Sequence, residues 1–130
     1  MIDTTIKRKR PLSPHLQVYK PQMTSVLSIL HRMCGLALAV GTGMIVWLLF
    51  AAADGEEAYD HFMEFCTSPL GKLMIFGWSL AFYYHLSNGI RHLIWDTGRL
   101  FKMQNATLAG AFVLFLTAAL TAYTWWSISQ

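Results

Sequence analysis

Residues 73–90 read LMIFGWSLAFYYHLSNGI, an apolar run without Asp, Glu, Lys or Arg that holds a histidine, His85. As a helix, a run of this length crosses the roughly 30 Å hydrocarbon core of a bilayer. An imidazole inside such a span needs a partner and marks a candidate functional position. The chain continues RHLIWD to Asp96, which places His92 two helical turns beyond His85 on the same face.

Two other stretches lack formal charges, Met33–Ala53 and Met103–Gln130, and each supplies the roughly 17 to 25 residues of one crossing. With 55% hydrophobic and 13% charged residues in 130, a soluble domain is excluded. The expectation is an all-α membrane protein. An arm over residues 1–22 precedes a domain over 23–130 with three transmembrane helices at about 24–53, 70–98 and 106–128. Ile6–Pro21 is basic and proline-rich rather than apolar, so no signal peptide is expected and the first helix is retained. Pro11, Pro14 and Pro21 favour an extended arm able to dock on a soluble partner.

Thr24 or Ser25 is expected to cap the first helix. Gly35, Ala39 and Gly43 form a small-residue stripe along which another helix packs. Asp54-Gly55 and Ser68-Pro69 bound an external connection with a short helix over Glu57–Phe65, where His61 is solvated. Trp95 reads as an interfacial anchor of the second helix, and Tyr123, Trp125 and Trp126 as an aromatic belt at the end of the third. The two cysteines fit neither a disulfide framework nor a metal motif, so Cys34 and Cys66 are expected as free thiols, Cys34 in packing.

Lys7, Arg8, Lys9, Arg10 and Lys20 precede the first helix, whereas Asp54, Glu56, Glu57, Asp60 and Glu64 follow it. Arg91, Arg99 and Lys102 follow the uncharged part of the second. The positive-inside rule then sets the N-terminus and second loop in the cytoplasm. A juxtamembrane basic run of this kind sets topology, and no nucleic-acid partner is expected.

Trp78, Ala81, His85, Gly89 and His92 share one face of the second helix. Ala81 and Gly89, one turn either side of His85, leave space for a flat macrocycle, and a neutral imidazole can ligate haem iron. A buried histidine hydrogen-bonded to a neighbouring helix accounts for the same spacing. If His85 holds haem, His92 lies about 10 Å nearer the cytoplasm with Arg91 beside it, at the depth of the propionates. Arg91 otherwise marks the membrane boundary. Counted from the ends of the apolar spans, His31 and His85 differ in depth by about 10 Å, so a second axial ligand is expected from another subunit and a self-contained cytochrome is not. His15 and His61 lie outside the apolar spans. Ser28 and Arg32, four residues apart on one face with Gly35, present a hydroxyl and a guanidinium suited to a quinone oxygen. On that spacing alone, capping or packing by Ser28 and snorkelling by Arg32 are the favoured account.

Three motifs carry a resemblance: Arg10-Pro-Leu-Ser-Pro-His-Leu-Gln-Val-Tyr19, Ser28-Ile-Leu-His-Arg32 with Gly35, and His85 to Asp96. In this order the chain resembles the cytochrome b membrane-anchor subunits of succinate dehydrogenase (succinate:quinone oxidoreductase, respiratory complex II). The resemblance implies His85 as an axial ligand of haem b, Ser28 and Arg32 at the ubiquinone site, and His31, His92 and Arg32 near the haem. It implies a bundle shared with a second small anchor subunit that supplies the other ligand. It also implies flavoprotein and iron–sulfur partners that oxidise succinate, a reaction for which this chain has no catalytic residue. The expected setting is a bacterial inner membrane, multi-pass, rather than a mitochondrial one. The alternative is a haem-free anchor or assembly subunit, which a visible spectrum without a b-type band would favour.

The charge asymmetry generates a first prediction. With Cys34 and Cys66 replaced, Thr5→Cys and Glu57→Cys variants are treated in intact cells with a membrane-impermeant thiol reagent. Position 57 should label and position 5 should not; external labelling of position 5 would reverse the orientation.

Overall fold

The computed structural model describes residues 21–99 and 102–130. The proline-rich arm, its motif from Arg10 to Tyr19, and His15 lie outside the described residues. Four helices follow in order: α1 Met23–Asp54, α2 Glu56–Thr67, α3 Pro69–Asp96 and α4 Met103–Ile128. The long helices lie within a few residues of their expected bounds, and the connection holds its short helix, extended at both ends.

Local chemistry accounts for the boundaries. Gly55 closes α1 at φ 122°, a conformation that L side chains rarely adopt. Glu56 and Glu57 then occupy the first turn of α2, where their charge complements the helix dipole. Ser68 caps α3, its Oγ accepting from Gly71 N at 3.1 Å and donating to the Phe65 carbonyl at 2.6 Å, with Pro69 in the first turn. The expected cap of α1 is corrected. Gln22 holds the N-cap position without a side-chain bond, which puts Thr24 and Ser25 inside the first turn. Pro21 and Gln22 stand outside the helix, which begins at Met23.

By length and apolarity α1 and α4 qualify as membrane spans. At 28 residues α3 reaches about 42 Å, more than enough to cross, but Lys72, His85, Asn88, Arg91 and His92 dilute its apolar content. It is the central helix, packed against both α1 and α4. Leu27, Tyr84 and Val113 form the buried cluster, one from each long helix, with Met23 and Cys34 against it. Tyr84 donates its hydroxyl to the Leu27 carbonyl at 2.7 Å.

The distribution of polarity is that of a membrane protein. Large apolar side chains such as Leu36, Val40, Phe50, Leu108 and Phe115 point outward, while Ser87, Asn88, Arg91, Thr117 and Thr121 are buried. Hydrogen bonds tie α3 to α4 near both ends. At the α2 end Tyr83 Oη pairs with Thr124 Oγ1 at 2.7 Å, and Trp125 Nε1 donates to Ser79 Oγ at 3.0 Å. At the other end Arg91 donates to the Ala106 carbonyl at 3.1 Å. Tyr123 and Trp126 are exposed, as a belt requires, but Trp125 packs inward on Phe76. Phe62 and Phe65 of α2 pack on Trp47 of α1 at 5.0 and 5.1 Å. His61 is exposed, as expected. Both cysteines are free thiols, and burial pushes that of Cys66 above its usual range.

Of the small-residue stripe, Gly35 meets α3 within the chain, joined there by Gly41, whereas Ala39 and Gly43 face outward. Gly41 lies directly under the Trp78 indole, and a β-carbon there would collide with the ring. Gly41→Val should therefore lower the thermal stability of the assembled membrane complex, by about 1–3 kcal/mol as for other overpacked contacts. Gly43→Val should leave it unchanged, and equal melting of the two variants would contradict this packing.

A histidine cleft between α1 and α3

Ser28, His31 and Arg32 of α1 and His85, Gly89 and His92 of α3 line one cleft of about 640 Å³, within the usual range for ligand pockets. Leu86, Ile90 and Leu93 complete its apolar wall. All five side chains singled out from the sequence, Ser28, His31, Arg32, His85 and His92, thus converge.

The two helices are antiparallel, and the contact between them is reciprocal. His85 of α3 lies over Gly35 of α1, where a β-carbon would stand 3.1 Å from its Cε1. His31 of α1 lies over Gly89 of α3, where a β-carbon would stand 3.8 Å from its Cε1. The rings meet in the middle, stacked at 3.9 Å between centroids and 8° from parallel. His85 Nδ1 donates to the main-chain carbonyl of His31 at 3.1 Å. A carbonyl only accepts, so the proton sits on Nδ1 and the lone pair of the neutral ring is on Nε2, the nitrogen left for a metal. Among the described residues Nε2 forms no hydrogen bond. His31 Nδ1 is buried without a partner. His92 stands 5.2 Å from His31 and 5.2 Å from Trp95, ring to ring.

This geometry corrects the depth comparison. His31 and His85 lie side by side, because α1 begins at Met23, well before the apolar run that starts at Met33, and α3 continues beyond Arg91 to Asp96. The charge-free spans, unlike the helix bounds, are poor markers of relative depth. The space expected beside Gly89 is occupied by His31, and Ala81 opens instead onto a separate apolar groove with Leu30, Cys34 and Tyr84. The two alternatives for His85 are compatible: it is hydrogen-bonded to a neighbouring helix and still offers Nε2.

Arg91 does not line the cleft. It is 3% exposed, turned toward α4, and donates to Asn88 Oδ1 at 3.2 Å as well as to Ala106. Its guanidinium lies 4.1 Å over the ring of half-buried Trp95. The sequence held one overlooked signal. His-x-x-x-Gly occurs twice, at His31–Gly35 and His85–Gly89, and in antiparallel helices each glycine receives the other's histidine.

All-helical described residues with apolar outer faces and buried polar groups define a helical membrane protein. Residues 6–124 match the succinate dehydrogenase/fumarate reductase transmembrane subunit family, to which the chain belongs. It is 40% identical to the succinate dehydrogenase cytochrome b556 subunit of Rickettsia typhi over 125 residues, covering 95% of this chain and 97% of that one. The cytochrome b560 subunit of Marchantia polymorpha is 40% identical over 123 residues, 88% of each chain. The b556 subunit of Paracoccus denitrificans is 39% identical over 111 residues, 81% and 85% of the two chains. The resemblance read from the three motifs is thereby borne out.

Proposed function

We propose that this chain is the haem b-binding membrane anchor of a succinate:ubiquinone oxidoreductase and forms part of its quinone-reduction site. The observation that carries the reading is the convergence of Ser28, His31, Arg32, His85 and His92 on one cleft. The relatives' names, as cytochrome subunits of succinate dehydrogenase, support it.

The residues present fit a haem. His85 has its Nδ1 proton engaged and Nε2 free, the arrangement of a ligating imidazole, and Gly35 supplies the cradle for its ring. His85 would hold the iron, with His31, His92 and Arg32 toward the propionates. His31 meets His85 face to face, so these two imidazoles would not hold one iron together. That stacking, in place of the depth comparison, supports a second ligand from another chain, the second small anchor subunit. A haem bound there supplies one-electron storage beside the quinone.

Toward ubiquinone, the Ser28 hydroxyl donates a hydrogen bond to a carbonyl oxygen. The Arg32 guanidinium stabilises negative charge developing on that oxygen as electrons arrive. Arg32 is exposed at the cleft mouth, where a headgroup entering from the membrane meets it. Flavoprotein and iron–sulfur partners oxidise succinate and deliver two electrons. This chain anchors them through a three-helix domain over 23–130 in a bacterial inner membrane, with the arm over 1–22 in the cytoplasm, and its part in the reaction is confined to the quinone end.

Two measurements on the purified complex test the reading. His85→Leu should abolish the low-spin haem signal in electron paramagnetic resonance, and an unchanged spectrum with full haem content would refute ligation by His85. Ser28→Ala and Arg32→Leu should each slow quinone reduction about tenfold or more, the loss expected for one hydrogen bond to a charged group. Succinate oxidation by an acceptor that takes electrons ahead of the quinone should persist. Near-normal quinone reduction in both assembled variants would reject the site.

A further inference from the structure

We infer that Gly35 and the main-chain carbonyl of His31 are positioning elements for His85, so that α1, not the helix that carries the histidine, sets the orientation and donor strength of the ligating ring. This deepens the reading of His85 as a haem ligand and rests on it.

Three contacts define the pose of the His85 ring, and all come from α1. The Nδ1–H bond to the His31 carbonyl, at 3.1 Å, fixes the tautomer and anchors one edge. The His31 imidazole, stacked at 3.9 Å and 8° from parallel, covers one face and opposes rotation about the ring's attachment. The bare α-carbon of Gly35 lets that same edge approach, because a β-carbon there would stand 3.1 Å from Cε1 and 3.5 Å from Nδ1 and force the ring or the helix to give way. His31 is held in turn at Gly89. The carbonyl of His31 is also the helical acceptor for residue 35, four positions on, so the glycine that admits the ring stands beside the oxygen that the ring must reach.

The direction of the effect follows from the hydrogen bond. Donation from Nδ1 to a carbonyl makes the imidazole a stronger electron donor through Nε2, which favours ferric over ferrous iron. Lengthening that bond favours the ferrous state and raises the midpoint potential.

The test uses the purified membrane complex, with haem content matched, read by redox titration and by the highest g value of the low-spin signal, which reports ring orientation. Gly35→Ala should shift that g value and move the ferrous-to-ferric ratio at fixed potential about tenfold, which for a one-electron couple is ~59 mV upward. Gly43→Ala, where nothing stands within 4 Å, serves as the control and should keep both parental values. An assembled Gly35→Ala complex with parental g value and potential overturns the inference. If Gly35→Ala does not assemble, His31 decides: His31→Ala, which removes the stacked ring but keeps the carbonyl, should shift the g value. His31→Phe should restore it with a flat ring that has no nitrogens. A parental g value in His31→Ala, or an equal shift in both variants, overturns the inference. Persistence of the low-spin signal in His85→Leu is a different failure, that of the ligand reading itself.

Discussion

The approach of α1 to α3 is limited by the thickness of two imidazole rings. The His85 ring needs the glycine opposite it, Gly35, while His31 packs over Gly89 in ordinary contact, so seating the stacked pair goes with one register of the two helices. One turn from Gly35 along α1 stand His31 and Ala39, and one turn from Gly89 along α3 stand His85 and Leu93, so a shift by a turn would set a ring against a side chain rather than a bare α-carbon. The cleft is a consequence of that register. Ser28 and Arg32 flank His31 on α1, His92 follows His85 on α3, and the stacked pair holds the two sets facing one another.

On the other side of α3 a second polar system has a different task. Arg91, Asn88 and Trp95 are packed among helices with no carboxylate bonded to the guanidinium among the described residues, and helix carbonyl, amide and indole face take its place. A desolvated cation is costly unless its hydrogen bonds are satisfied, so this cluster constrains α4 to the position that offers the Ala106 oxygen. Arg91 and His92 are adjacent in sequence yet serve opposite faces, one internal and structural, the other lining the cleft.

The helices were legible because uncharged runs, Gly55 and the Ser68-Pro69 pair punctuate the sequence in ways that backbone chemistry enforces. The members of the cleft were legible too, through helical spacing and through the resemblance. Their mutual geometry was not. Taking Arg32 and Arg91 as the edges of the apolar core assumed that a charge marks a boundary, which fails when an arginine is buried between helices or when a helix extends past the bilayer. The role of Gly41 was not legible for a related reason: several small residues line α1, but only the position of Trp78 on another helix reveals that Gly41 is the one under pressure.

The central place of α3 bears on how the chain enters a bilayer as it is made. An isolated segment carrying Asn88, Arg91 and two histidines partitions poorly into hydrocarbon, and its hydropathy alone does not mark it as a span. The carbonyl that receives Arg91 belongs to Ala106, fifteen residues later, so it does not exist when α3 first emerges from the ribosome. Co-insertion of α3 and α4 as a hairpin, against an α1 already in place, is the route by which the polar groups find partners before they meet lipid. The order of synthesis, with the two most apolar helices first and last, suits that sequence of events.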